Sequence, residues 1–196
     1  MKLVILDRDG VINADSENFI KSPDEWVPIP GALDAIARLT AAGYRVAVAT
    51  NQSGLSRGLF GLDELEAIHH KMCTQVEDAG GLISAIFYCP HLPDEHCTCR
   101  KPAPGMLDAI ARELDCCLAG VAVIGDSLRD LQAAIQRDCA PILVRTGKGT
   151  DSERALREQA DPALRAAPVY DDLAAAVDAL LGASFAANGA IDERSH

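Results

Sequence analysis

The chain has 196 residues, 48% of them hydrophobic, and a net charge of −11. That length and composition suit one globular domain, and the acidic balance argues against a nucleic-acid surface, which needs clustered Lys and Arg. No apolar stretch approaches the roughly 20 residues that cross a bilayer, and the N-terminus enters a strand without the regions of a secretory signal, so a cytoplasmic protein working away from membranes, as a monomer, is expected.

Leu3-Val4-Ile5-Leu6 reads as a strand buried on both faces, as in a parallel sheet, and it ends in Asp7-Arg8-Asp9-Gly10. Carboxylates at i and i+2 of extended chain point the same way, and two anions that close need a cation or a proton between them. The polar stretch 13–30, broken by Pro23, Pro28 and Pro30, is long enough to be functional; its Asp15, Ser16, Glu17 and Asn18 follow the carboxylate pair closely enough to line a site beside it. Trp26 is expected to pack that loop down. A helix follows over Gly31–Ala42, then a strand Val46–Ala49 ending in Thr50-Asn51-Gln52-Ser53-Gly54. Leu62–Ala79 reads as a helix and Leu82–Tyr88 as a strand.

Of the seven cysteines, Cys89, Cys97 and Cys99 crowd one loop with His91. Three thiolates and an imidazole suit tetrahedral zinc, and a full ligand set marks a structural site. His96 competes as the nitrogen ligand; His91 is preferred because it pairs with Cys89 as Cys97 pairs with Cys99. Arg100 and Lys101 follow, and zinc would fix both. A helix over Gly105–Leu114 leads to a strand Val121–Ile124 that ends in Gly125-Asp126-Ser127, and a helix over Leu128–Arg137 leads to a strand Pro141–Val144. Val169-Tyr170 is a candidate edge strand and Leu173–Leu181 a last helix; the Ala- and Gly-rich tail 182–196 is expected to fray. Strands alternating with helices make this an α/β protein, a doubly wound parallel sheet, with one domain over 1–181.

Asp7, Asp9, Thr50, Asn51, Arg100, Lys101 and Asp126 all follow strand ends, which in a parallel sheet share one edge. Carboxylates, a hydroxyl and a lysine together suit phosphoryl transfer. Asp7 and Asp126 can hold Mg²⁺, a hard cation that prefers oxygen. Asp7 would attack phosphorus, Asp9 would serve as acid and then base, and Thr50, Lys101 and backbone amides near Asn51 would hold the phosphoryl oxygens.

This order of motifs resembles the haloacid dehalogenase (HAD) superfamily of phosphatases: Asp7-x-Asp9-Gly10 its first motif, Thr50 its second, Lys101 its third, Gly125-Asp126 its fourth, with Asp130 fitting a further aspartate. The resemblance implies a Rossmann-like fold and Mg²⁺ held by Asp7, the backbone carbonyl of Asp9, and Asp126. The spacing leaves no room for a cap domain. The zinc loop and capless form resemble the D-glycero-D-manno-heptose-1,7-bisphosphate 7-phosphatases of lipopolysaccharide heptose synthesis, and the stretches Thr50–Gly54, Lys101–Met106 and Val144–Gly149 point the same way. That resemblance implies a sugar bisphosphate substrate bound by Asp7, Arg8, Asp9, the residues 15–18, Thr50 to Ser53, Arg100 and Lys101. Histidinol-phosphate phosphatases share the zinc loop and are the alternative. A receiver domain, which accepts a phosphoryl group without turning over, is the non-enzyme reading; it fits less well because Asp7 and Asp9 share one strand end.

Overall fold

The computed structural model describes residues 2–192, with side chains assigned through 183. It is a six-stranded sheet, every pairing parallel, built from β1 (Lys2–Leu6), β2 (Tyr44–Asn51), β3 (Ile83–Cys89), β4 (Ala122–Gly125), β5 (Ala140–Val144) and β6 (Val169–Tyr170) in the order β3-β2-β1-β4-β5-β6. The chain steps outward from β1 to β3, then returns to the other side of β1 at β4. The crevice beyond the carboxyl ends of β1 and β4 is therefore the switch point where such sheets bind ligands.

Strand alternation sorts the core into two layers. Val4 and Leu6 of β1, with Val46 and Val48 of β2, face α1 (Ala32–Ala41), α2 (Leu62–Asp78) and α7 (Leu173–Asp192). Leu3, Ile5, Ala47 and Ala49 face the opposite layer, where α3 (Gly105–Glu113) contributes Met106, Leu107 and Ile110, and α4 (Leu128–Ile135) contributes Ala133 and Ala134. In α1 the buried Ala32, Ala35, Ile36 and Leu39 fall at helical spacing on one face. Trp26 is fully buried, and Lys71 of α2 ties its loop down by donating to the carbonyls of Pro23 and Trp26 at 2.6 and 3.0 Å.

Two short helices, α5 (Gly149–Arg157) and α6 (Pro162–Arg165), occupy a stretch for which the sequence reading has no element. The reason is composition: α5 buries only Gly149 and Leu156, and apart from Ala155 the rest of it is polar. β2 includes Thr50 and Asn51, and β3 includes Cys89, so those residues sit in the sheet rather than past it. α7 extends beyond its expected end at Leu181, and 193–196 lie outside the described residues.

Candidate active site

At the carboxyl edge of β1 and β4 the Asp7 N–H donates to the Ile124 carbonyl at 2.9 Å, carrying the chain over the crevice. Asp7, Asp126 and Asp130 converge there, with a carboxylate oxygen from each lying within 4.8 Å of the others. Lys101 enters from the zinc-loop side, 5% exposed, and its ammonium meets three acceptors: the Ala49 carbonyl at 2.8 Å, Asp7 Oδ2 at 3.0 Å and Asp130 Oδ1 at 2.5 Å. Burial would lower the pKa of Lys101, but Asp130 and Asp7 outweigh it and keep the ammonium charged. Asn51 fixes the backbone of Lys101 at two points, accepting from its N–H at 3.1 Å and donating to its carbonyl at 3.2 Å.

One lysine does not balance this many carboxylates. Burial, reinforced by Asp130, Asp126 and Asp9, lifts Asp7 to about 8 against the pull of Lys101. Burial and Asp130 lift Asp126 to about 7, although the Lys148 N–H donates to its Oδ2 at 2.8 Å. Burial is the larger cause of both shifts, and the repulsion these carboxylates add is what a divalent cation would offset; three carboxylate oxygens this close fit Mg²⁺. Asp130 has its other oxygen engaged by the Ser127 N–H and hydroxyl at 3.0 and 2.7 Å, so it orients Lys101 while Asp7 and Asp126 remain open to a cation.

Asp126 is packed from behind by Gly10 and Gly147, both with positive φ. A Cβ on Gly147 would overlap Asp126 Oδ2 and come within 2.7 Å of Gly10 Cα. Gly147→Ala is accordingly expected to cost about 2 kcal/mol or more in stability and to raise the Mg²⁺ requirement on the order of ten-fold, read by thermal melting and by Mg²⁺ titration of phosphate release.

Asp9 lies in a different environment. Its Oδ1 accepts from Arg8 Nε at 3.0 Å and Asn13 Nδ2 at 2.9 Å, and its Oδ2 from Arg8 Nη2 at 2.9 Å and Gln52 Nε2 at 2.7 Å. Burial pushes its pKa up, but the Arg8 guanidinium and these hydrogen bonds outweigh it and hold Asp9 below the usual range. Gln52 also donates to Thr50 Oγ1 at 2.9 Å, linking the second motif to the first.

These groups floor a cavity of about 420 Å³, large enough for a phosphorylated sugar. Its walls bring together Asp7, Asp9, Asp15, Ser16, Glu17, Thr50, Asn51, Gln52, Ser53, Arg100, Lys101 and Asp126 from the expected set. Two of the expected substrate residues do not line this cavity. Arg8 is fully buried behind Asp9, because alternation along the strand end sends it away from its neighbours 7 and 9. Asn18 does not line the cavity, and the next residue, Phe19, does so instead, turned by a left-handed φ of 64°. The lining also holds Arg57, Ser127, Arg129, Asp130 and Lys148, so a basic rim surrounds an acidic floor. The sequence carried a signal for Asp130, since Ser127-x-x-Asp130 is a capping box that folds the aspartate back over the helix start.

The zinc loop closes as expected. The sulfurs of Cys89, Cys97 and Cys99 lie 3.2 to 3.6 Å apart, and His91 Nδ1 is 3.5 Å from Cys89 Sγ and 3.2 Å from Cys99 Sγ. A tetrahedral ion with Zn–S bonds of 2.3 Å needs edges of roughly 3.8 Å, so the four atoms nearly match its shell. His91 is therefore the nitrogen partner, and His96 lies outside the cluster. The loop reaches the active site through Arg100, whose N–H donates to Cys97 Sγ at 3.3 Å and whose Nη1 donates to the His91 carbonyl at 3.1 Å.

A parallel sheet with a carboxylate at the end of its first strand, a buried lysine beside it and an aspartate pair after the fourth strand defines a HAD-type phosphatase. The chain matches the family models described as HAD-hydrolase-like, over residues 98–176, and polynucleotide kinase 3 phosphatase, over residues 2–127. It is 56% identical over 181 residues to the D-glycero-β-D-manno-heptose-1,7-bisphosphate 7-phosphatase of Bordetella bronchiseptica, covering 92% of this chain and 98% of that one. The Pseudomonas aeruginosa enzyme of the same name is 51% identical, covering 91% and 97%. The crystal structure of the B. bronchiseptica D,D-heptose 1,7-bisphosphate phosphatase, complexed with magnesium and phosphate, matches with a TM-score of 0.87 over 93% of this chain and 99% of that one. The Burkholderia thailandensis phosphatase matches at 0.71 and 44% identity, over 92% and 99%. Within the HAD phosphatases, the chain belongs to the D-glycero-D-manno-heptose-1,7-bisphosphate 7-phosphatase family.

Proposed function

We infer that this chain is a magnesium-dependent phosphomonoester hydrolase that removes the C7 phosphate of D-glycero-D-manno-heptose 1,7-bisphosphate, in the synthesis of the activated heptose of lipopolysaccharide. The observation that carries the reading is the meeting of Asp7, Lys101, Asp126 and Asp130 at one strand edge, inside a cavity whose rim is basic. Held by Asp7, Asp126 and the backbone carbonyl of Asp9, Mg²⁺ supplies the charge that lets a carboxylate approach an anionic ester.

A carboxylate oxygen of Asp7 bonds to phosphorus as the bond from phosphorus to the C7 oxygen breaks, and Asp9, in the fraction of enzyme where it carries a proton, gives that proton to the departing oxygen. Water then attacks the aspartyl-phosphate, returns a proton to Asp9, and phosphate departs as Asp7 is freed. Lys101 fixes Asp7 Oδ2 for the attack. Thr50 and the amides beside Asn51 hold the phosphoryl oxygens as charge shifts onto them. Arg100 binds the second phosphate, and Asp15, Ser16 and Glu17 face the sugar hydroxyls. The reaction is carried by a monomer, in the single domain over 1–181. Among the described residues no helix is long and apolar enough to cross a membrane, which is compatible with work in the cytoplasm.

The test is phosphate release from both anomers of the heptose bisphosphate, from histidinol phosphate and from an aryl phosphate. The relatives are named for the β anomer. The expected result is a kcat/KM on the β-heptose bisphosphate about 100-fold above histidinol phosphate, the worth of one charge-assisted anchor for the second phosphate. A preference for histidinol phosphate overturns the reading, and a single phosphorylation per chain without turnover would favour a receiver.

A further inference from the structure

Behind the cavity lies a pair, buried Arg8 and half-buried His69, that the reaction described above does not use. Arg8 is fully buried, a rare place for a guanidinium. Two of its nitrogens hold the two oxygens of Asp9, and the third, Nη1, lies 3.3 Å from Nε2 of His69 on α2. An arginine offers only donors, so His69 must present Nε2 as an acceptor and is the neutral ring. Burial and the adjacent guanidinium push its pKa down to about 4, in agreement with that tautomer. Asn13 and Gln52 grip the same Asp9 oxygens from the other side at 2.9 and 2.7 Å.

Arg8 and Asp9 are chain neighbours just past the end of β1, so the ion pair between them does not by itself tie the Asp9 carboxylate to another element. Asn13 and Gln52 reach Asp9 from the loops that follow β1 and β2, at the cavity itself. The bond to His69 ties the pair to the frame of a helix seated on the sheet. We propose that His69 is a positioning residue for the second half of the reaction: through Arg8 it holds the Asp9 carboxylate where it takes the proton of the water that cleaves the aspartyl-phosphate. This rests on the assignment of Asp7 as nucleophile and Asp9 as acid and base. In that step the oxygen of water bonds to phosphorus, the bond from phosphorus to Asp7 breaks, the proton goes to Asp9, and inorganic phosphate leaves.

An aryl phosphate isolates the step, because its leaving group departs without a proton and phosphorylation of Asp7 then does not depend on Asp9 as acid. Rapid mixing should show a burst of phenolate of one per chain, followed by a steady rate set by hydrolysis of the intermediate. His69→Leu is expected to keep the burst and slow the steady rate on the order of ten-fold, inside the 10²–10⁴ that acid–base catalysis contributes. His69→Gln, whose amide oxygen can accept from Arg8, is expected to return to within about two-fold of wild type. His69→Asn, polar but too short to reach, should behave as His69→Leu and serves if the leucine variant does not fold. A steady rate in His69→Leu or His69→Asn equal to wild type overturns the proposal, as does His69→Gln falling as far as the other two. Asp9→Asn is run in parallel: a burst followed by near-arrest upholds the acid–base assignment on its own, whereas full turnover by that variant sinks the assignment whatever His69 does.

Discussion

Asp7→Asn is expected to lower phosphate release by at least ~10⁴-fold, because an amide neither attacks phosphorus nor balances a divalent cation. The same substitution should raise the stability of the metal-free protein. The wild-type carboxyl is moved from 3.8 to about 8 in the folded chain, chiefly by burial, with Asp130, Asp126 and Asp9 adding to it. Folding therefore takes up a proton between those values, and metal-free wild type loses stability as pH rises through that window. Asparagine has no proton to take up, and Lys101 keeps Asp130 at 2.5 Å as a partner. In a chelator the melting temperature of the variant should match wild type near pH 4 and exceed it increasingly toward pH 8, by roughly the few degrees that 1–2 kcal/mol gives a chain of this size. Added Mg²⁺ should raise wild type by mass action and leave the variant almost unmoved. A variant that melts below wild type at pH 8 without metal, or one that still turns over, contradicts the account of Asp7 as a nucleophile held in a charge-deficient cradle.

The parts of this site that could be read in the sequence are those whose signal is local. Val4 to Leu6 and Val46 to Ala49 are continuous apolar runs because both faces of a central parallel strand are covered, and a polar group straight after such a run must land on the sheet edge. That logic locates Asp7, Thr50, Asn51 and Asp126. The same logic places Arg8 away from the cavity, since two residues on one side of extended chain leave the one between them facing the other way. Arg57, Arg129 and Lys148 are a different matter. Each is an isolated basic residue on a turn or helix start, indistinguishable in sequence from a solvated surface charge, and only the return of three separate connections to one crevice brings them to a common rim. α5 escaped for the complementary reason: a helix that buries Leu156 and little else carries no apolar stripe to detect.

Removing the second metal should have the other large effect, on stability first and substrate binding second. Three sulfurs and an imidazole nitrogen packed at 3.2 to 3.6 Å lie slightly inside the roughly 3.8 Å edges of a zinc shell, and as thiolates without a cation they would repel. The loop has little apolar mass of its own: from Cys89 to Cys99 only Cys89 is buried. Cys99→Ser removes the sulfur nearest both Cys89 and His91, and it is expected to lose the one zinc per chain by metal analysis and to lower the melting temperature by roughly 10 °C. The kinetic consequence runs through Arg100, which the loop holds by its N–H on Cys97 Sγ and its guanidinium on the His91 carbonyl. Lys101 is held independently by Asn51, Ala49 and Asp130, on the sheet side. If Arg100 anchors the second phosphate as proposed, loss of zinc should loosen that anchor and spare the nucleophile, so KM for the bisphosphate should rise about ten-fold while kcat on the fraction still folded changes little. A fall in kcat at unchanged KM and unchanged melting would instead place the zinc in the chemistry.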